Sequence, residues 1–488
     1  MERVSGRYCR IHASGLATSL LLNLALIIFP LMANGQAAFP LKISPDNRYL
    51  MDQNNKPFPI LGRTAWFVVS QSEEGYKKFI SNTLQHGYNS IELSVITHWP
   101  MGNHAPFNAA GDLPFLKRLD GTPWRGQLAY DSIDIQAPDL TTPNETYWQF
   151  VDNFLGYCES KGVAVFMFPG YVGYEGQEQG WMKELMANKD KTEKYGAWIA
   201  SRYRNRKNIV WMLLGDMGKF NQEQERAESL LIKGLKSVAG QSTEYTAESH
   251  SGENAADNVQ FGREMTLNGC YTWELKVPVP HLARRAYAHK PVMPAFLLEE
   301  PYDEEGPDGN NYNPNATQPV RRFQWWGWLS TIGGYISGNA YVWQFVDPVW
   351  EQHLNTQGAM DMERLNAFIN SIRWWDLIPS GMNGMKTLVT NPANIDSTAH
   401  YVSAAATKDG SLLIAYLPPA QRGSISIDLS ALAKKSYGYW YDPTSAKYSA
   451  IPGGPFVNKG KKEFNPPGLN SRGEYDWVLM LTTDPSKK

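Results

Sequence analysis

Short, almost unbroken apolar segments alternate with longer stretches whose apolar residues recur at helical spacing, from about residue 57 to about residue 380. PILGRTAWFV, YNSIELSVI, VAVFMFPG, IVWMLLGD, TEYTAESHSG, NGCYTW, PVMPAFLLEE and GGYISGNAYVW read as strands. Their continuous apolar character marks strands covered on both faces. Between them, SEEGYKKFISNTLQHG places Tyr76, Phe79, Ile80 and Leu84 on one helix face and stops at Gly87. TYWQFVDNFLGYCESKG stops likewise at Gly162, and KTEKYGAWIASRYRNRKN, NQEQERAESLLIKGLKSVAG, PHLARRAYAHK and VRRFQWWGWLSTIGG supply further helices. Strands alternating with helices imply a parallel sheet, and eight such units over roughly 300 residues fit an α/β fold of the (β/α)8 TIM-barrel type. No GxGxxG follows the first strand, which weighs against a doubly wound open sheet.

Near residue 390 the texture changes. STAHYVSAAATKDGSLLIAYLPPAQRGSISIDLSAL, YWYDPTSAKYSAIP and YDWVLMLTT are short strands split by turn residues, with no convincing helix. This predicts a small C-terminal antiparallel β-sandwich. At the other end, three arginines (Arg3, Arg7, Arg10) precede the apolar run LATSLLLNLALIIFPLM and the small-residue stretch ANGQAAF. That order is a secretory signal, and Pro30 followed by ANGQA favours cleavage over an uncleaved anchor. The expected organisation is a signal peptide over 1–37, a barrel over 38–385 and the β-sandwich over 390–488, with a secreted or periplasmic product and no stable membrane insertion after cleavage.

Composition adds little to this picture. Hydrophobic residues make up 42% and charged residues 19%, as in a globular chain, and the net charge of -2 gives no reason to expect nucleic acid as a partner. The 17 Trp and 25 Tyr suit stacking on sugar faces as well as core filling. Outside the signal only Cys158 and Cys270 remain; they read as buried thiols, with a disulfide open to an exported chain. The absence of CxxC and HExxH motifs predicts no metal site, and no cofactor cradle is evident.

In a barrel of this kind the active site lies at the C-terminal ends of the strands. Those ends read GRTAW, IELSVITHW, FPGYVGY, LLGD, AESHSG, CYTW, LLEEPYDEE and SGNAYVW. They are rich in aromatics, histidine and carboxylates and lack a GxSxG elbow or a phosphate cradle. Two facing carboxyl groups are the minimal machinery of glycoside hydrolysis. Asp216 and Glu300 each follow a buried strand, and alternation groups them with Val210, Met212, Leu214 and with Phe296, Leu298 respectively. A period of two does not say which face points inward, so Glu299 stays a rival of Glu300. Trp66, Glu92, His250, Trp273, Glu299 and Tyr302 are candidates to bind or orient a sugar, and Asn339, Trp343 and Gln344 to close the cleft. GPDGNNYNPNATQP, directly after the acidic motif, reads as a loop.

PILGRTAWFV, HGYNSIELSVI, KNIVWMLLGDMG and PVMPAFLLEEPYDEE, in that order, resemble the apiosidase-like family of (β/α)8 barrels, whose members read GDTAW, GFNVIQ, WxxGGD and xxGEPxYE at these places. The C-terminal region resembles a small β-domain, labelled collagen-binding, that is often joined to such barrels. The resemblance implies Asp216 as acid/base and Glu300 as nucleophile, in preference to Glu299. Arg63 stands where the family has an acid, Glu92 where it has an amide, and Glu299 where it has glycine. An Arg63–Glu92 or Arg63–Glu299 ion pair would account for the added charges. The expectation is thus a secreted glycoside hydrolase of plant or microbial polysaccharide, acting through two carboxyl groups with retention and without a cofactor. The alternative is a secreted, non-catalytic carbohydrate- or matrix-binding protein on the same scaffold.

Overall fold

Eight apolar segments pair edge to edge as parallel strands: β4 (Ile60–Thr64), β5 (Ser90–Ser94), β6 (Ala164–Phe168), β7 (Ile209–Leu214), β8 (Tyr245–Glu248), β9 (Asn268–Tyr271), β10 (Ala295–Glu299) and β11 (Ile332–Ser337). Three two-residue strands, β1 (Lys42–Ile43), β2 (Leu50–Met51) and β3 (Pro57–Phe58), form an antiparallel sheet ahead of them around the DQNNKP turn. The computed structural model describes residues 36–98, 105–128, 137–176, 180–240, 242–273, 278–305 and 318–486. All but the last two residues of the expected signal peptide, and most of the loop after Glu305, fall outside this set. Among the described residues no helix is long and apolar enough to cross a membrane.

The ladder runs β8-β7-β6-β5-β4-β11-β10-β9, a barrel closed except between its two end strands. That seam is bridged at its lower end, where the Thr266 and Leu267 amides donate to Tyr245 O at 2.9 and 3.0 Å. At its upper end Asn254 folds back to pair with Cys270. The helices α1 (Glu73–Gln85), α2 (Glu145–Ser160), α3 (Met182–Asn188), α4 (Lys191–Tyr203), α5 (Gln222–Lys236), α6 (Val279–Ala288), α7 (Gln318–Thr331) and α8 (Gln357–Asn370) accompany the strands. Local signals set several ends: Ser72 caps α1 by accepting from the Gly75 amide, and Asn221 with Gln224 forms a capping box on α5. The 13-residue α1 buries Tyr76, Phe79 and Ile80, as its spacing predicts. Cys158 and Cys270 are both buried free thiols, so no disulfide forms among the described residues.

The tail is β throughout, but it begins earlier than its composition suggests. Strand β12 (Leu377–Pro379) already pairs with the sheet that follows. With β13 (Val389–Asn391), β14 (Ser403–Thr407), β15 (Leu412–Leu417), β16 (Ile425–Asp428), β17 (Tyr437–Asp442), β18 (Lys447–Ala450), β19 (Lys461–Phe464) and β20 (Trp477–Thr482), it builds two antiparallel sheets. The larger runs β12-β14-β15-β20-β17-β18 and the smaller β13-β16-β19.

One helix ties this tail to the barrel. Trp325 of α7 stacks on Tyr416 of β15 with ring centroids 5.7 Å apart and planes 7° from parallel. One turn earlier Arg321, wholly buried, donates to Asp361 of α8 at 2.6 Å and through two nitrogens to Asp476, just before β20, at 2.8 Å. A guanidinium withdrawn from water is tolerable only with such partners, and the acids around it hold its proton more tightly than usual. Arg321→Met strands Asp476 and one face of Asp361 in the interior and should lower unfolding stability by about 3 kcal/mol in denaturant titrations. Arg364→Ala, which removes a partly exposed partner of Asp361, should cost less than about 1 kcal/mol.

Candidate active site

All eight strand ends converge on one cavity of about 460 Å³, a size typical of small-ligand sites. Trp66 follows β4, His98 follows β5, Tyr171 follows β6, Asp216 follows β7, Glu248 ends β8, Tyr271 ends β9, Glu299 ends β10 and Trp343 follows β11. His250, Trp273, Tyr302 and Glu305 complete the wall from the adjoining loops.

Asp216 reaches the cavity through a strained turn. Leu214, Gly215 and Asp216 have φ of 63°, 127° and 51°, so the backbone leaves strand geometry immediately after β7. Glycine is required in the middle for a second reason: a Cβ there would sit 2.3 Å from the Tyr171 ring. That ring is held close because its hydroxyl donates to Asp216 Oδ2 at 2.6 Å. Burial raises the Asp216 carboxyl above the ordinary aspartate range, while the Tyr171 and Tyr271 hydroxyls and His250 pull it down.

The adjacent glutamates are placed opposite to expectation. Phe296 points into the barrel, its ring 5.7 Å from that of Phe166 across the interior, whereas Leu297 packs outward on Gly327 of α7. Strict alternation from there would send Glu300 inward. The pairing of β10 with β9 instead slips between Leu297 and Glu299, so that Leu297 faces Cys270 and Glu299 faces Tyr271. A slip of this kind reverses the alternation beyond it. Glu299 therefore lines the cavity. Glu300 is wholly buried behind it, where Gln324 of α7 donates to its Oε1. Among the described residues the Glu300 carboxyl forms no ion pair, and burial, then the charge of Glu299, holds its proton affinity well above the ordinary range. The family motif, aligned on its tyrosine, agrees: in GEPxYE the glutamate stands three positions before the tyrosine, as Glu299 does before Tyr302, while Glu300 stands two before it.

Tyr302 donates to Glu299 Oε1 and accepts from Trp66 Nε1 at 2.9 Å, fixing both rings at the cavity floor. Burial is the main cause that pushes the Glu299 carboxyl up to about 7. Trp273 Nε1 donates to Glu305 Oε2 at 3.2 Å, and His250 lies 3.4 Å from Glu175 at the rim. Of the expected binding residues, Trp66, His250, Trp273, Glu299, Tyr302 and Trp343 line the cavity. Two others do not. Asn339 is buried in the loop beyond β11, where it donates to Asp303 and Glu304 at 3.1 and 2.9 Å. Glu92 lies inside the barrel beneath the site, accepting from Thr64 Oγ1 at 2.9 Å, with burial and then the charge of Glu299 holding its proton. Neither expected ion pair of Arg63 forms: its guanidinium donates to Asn82 at 2.6 Å and to Leu354 O at 3.4 Å, on the helix side of β4.

Glu248, His98, Tyr171 and Tyr271 were legible only as members of the strand-end segments. The neighbourhood of Glu248 is the most consequential of these: Asp216, Glu248 and Glu299 each offer an oxygen within 4.8 Å of the others. The spacing alone would admit a small cation. Two of the three already accept a tyrosine hydroxyl, however, and burial raises all three, which fits a set of acids sharing protons.

Comparison with known proteins bears on the whole architecture. The family described as "Apiosidase-like, catalytic domain" matches residues 44–376, and that described as "Putative collagen-binding domain of a collagenase" matches residues 386–482. A search of curated protein sequences gives no match. Among solved structures, a glycoside hydrolase superposes with a TM-score of 0.72 at 19% identity, covering 93% of this chain and 99% of its own. A glycoside hydrolase family 5 protein from Bacteroides vulgatus gives 0.71 at 18% identity, covering 91% and 93%. At such identities these two likenesses concern the fold, whereas the family match spans the barrel and every strand end that lines the cavity. The chain belongs to the apiosidase-like family and is a glycoside hydrolase built on a (β/α)8 barrel.

Proposed function

We propose that the protein is an exported enzyme that hydrolyses O-glycosidic bonds in plant or microbial polysaccharide with retention of configuration, Glu299 acting as nucleophile and Asp216 as acid/base. The observation that carries this reading is the separation of those two groups, whose nearest oxygens lie within 4.8 Å across the cavity. Retaining glycosidases hold their carboxyl groups about 5–5.5 Å apart, and inverting ones about 6.5–9.5 Å to admit a water.

In the first step Glu299 attacks the anomeric carbon as the glycosidic C–O bond breaks, and Asp216 gives its proton to the departing oxygen. In the second, Asp216 takes a proton from the water that attacks the same carbon, and the bond to Glu299 breaks to regenerate the carboxylate. Tyr302, held by Trp66, orients the Glu299 carboxylate for both steps. The described cavity wall includes four carboxyl groups (Asp216, Glu248, Glu299, Glu305) and no lysine or arginine. That chemistry suits a neutral sugar at the cleavage point and disfavours a uronate. Trp66, Trp273 and Trp343 supply apolar faces for its ring. Export rests on the N-terminal pattern of basic, apolar and small residues, and the N-terminus of the mature protein tests it.

A screen of purified protein against complex glycans should release reducing sugar. Asp216→Asn and Glu299→Gln should each lower kcat by at least about a thousandfold. Glu300→Gln, on the helix side of β10, should stay within about threefold of the parent. Polysaccharide retained by the protein without any released sugar, equally in all variants, would favour a non-catalytic binding role instead. The pH dependence should be distinctive. Glu299 must be ionised to attack, and its proton is held up to about 7, so kcat/KM should fall as pH drops through about 7. An ordinary glutamate would instead place that limb near pH 4.3. Initial rates on a released-sugar substrate across the pH range read this directly.

A further inference from the structure

Glu248 has no role in the two-step reaction, yet it ends the barrel's fifth strand between the two groups that do the chemistry. Its side chain is almost wholly buried, at 1% exposure, and one of its oxygens lies within 4.8 Å of both Asp216 and Glu299. The three carboxyl groups are not equivalent in their partners. Asp216 receives the Tyr171 hydroxyl and Glu299 receives the Tyr302 hydroxyl. Glu248 Oε2 is buried without any hydrogen-bond partner. Its carbonyl accepts from the Gly215 amide at 2.9 Å, which ties the end of this strand to the turn that carries Asp216.

The titratable groups facing Glu248 are Asp216 beyond β7, Tyr171 beyond β6, Glu92 on β5, Glu299 on β10 and Tyr271 on β9. Every one of them is an acid. Among the described residues the cavity wall offers two histidines and no lysine or arginine: His98 is paired with Glu184, and His250, two residues on and one-third exposed, stands beside Glu175. An ionised Glu248 would add its negative charge to that of Glu299 while its buried Oε2, among the described residues, receives no hydrogen bond. A neutral carboxylic acid removes that charge and acquires one donor, which must find an acceptor in the same space.

We propose that Glu248 is a positioning residue: a neutral carboxylic acid whose O–H donates a hydrogen bond to the carboxylate of Glu299. This rests on the reading of Glu299 as nucleophile. The bond holds Glu299 in its attacking orientation together with Tyr302, and it stabilises the carboxylate again as it leaves the sugar in the second step. The order of proton affinities agrees. Burial, and after it the charges of Glu299 and Asp216, hold the proton on Glu248 well above the ordinary range, while Glu299 rises only to about 7.

Two variants and one spectroscopic measurement test the proposal on the full chain. Glu248→Gln keeps an N–H donor at the same place, and Glu248→Ala removes it. The Gln variant should exceed the Ala variant in kcat by roughly ten- to a hundredfold, the worth of a hydrogen bond to a charged group, with KM changed by less than about threefold. Because a neutral group replaces a neutral group, the acid limb of the Gln variant should overlay that of the parent. A limb displaced by about one unit or more toward acid would show that a negative charge had been removed, and would overturn the proposal. Independently of turnover, 13C spectra of protein labelled at the glutamate side-chain carboxyl should show one fewer protonated carboxyl at neutral pH in Glu248→Gln than in the parent. An unchanged set of protonated signals would also overturn it. If no glycan is cleaved by the parent protein, the reading of Glu299 as nucleophile fails, and the carboxyl spectra still decide whether Glu248 holds the proton.

Discussion

Crowding carboxyl groups into the mouth of a barrel whose described wall holds no guanidinium or ammonium is the constraint from which the rest of the site follows. Glu92, Asp216, Glu248 and Glu299 lie on or just beyond four strands of one sheet, and each is pushed above its ordinary range first by burial. Such groups cannot all ionise, so the fold distributes protons among them and supplies hydroxyl donors where a charge is needed. Tyr171 serves Asp216 and Tyr302 serves Glu299. The aromatic richness of the chain thus has an electrostatic use as well as a packing one: phenols donate to an anion without adding a charge of their own.

Where local pattern governs, the sequence was a reliable guide. The eight apolar segments are the eight barrel strands, because burial on both faces leaves no other composition possible for them. The helices α1, α2, α4, α5, α6 and α7 follow their periodicity and their glycine or capping signals. Helix α8, which closes the barrel against the tail, was not singled out, since its apolar positions are diluted by Asp361 and Asn366, residues buried through polar partners. The onset of the tail at β12 is not legible for a similar reason: three residues carry too little pattern to show which sheet they join.

The site shows where such reading stops. Alternation correctly groups Phe296 with Leu298, then fails at the next residue because a slip in pairing with β9 is a property of two strands, invisible in either alone. Charge pairing was equally misleading. Arg63 and Glu92 are separated by only one position across adjacent strands, yet Arg63 projects toward α1 and Glu92 into the barrel. Glu248 was visible only as a letter in a strand end, since nothing local distinguishes an acid with hydroxyl partners from one with none. Three-dimensional convergence, rather than motif, identifies it.

Helix α7 has two buried polar attachments on the same side of its course. Gln324 holds Glu300, the immediate chain neighbour of Glu299, and Arg321, one turn earlier, grips Asp476 at the foot of the chain's last strand. The path from the C-terminal sheet to the cavity carboxyl of Glu299 therefore passes through one helix and two side-chain contacts. The β-domain is in this sense part of the scaffolding of the cavity. It is not an interchangeable appendage, and a barrel trimmed of it would present Trp325, Trp326 and a guanidinium stripped of its Asp476 partner to water.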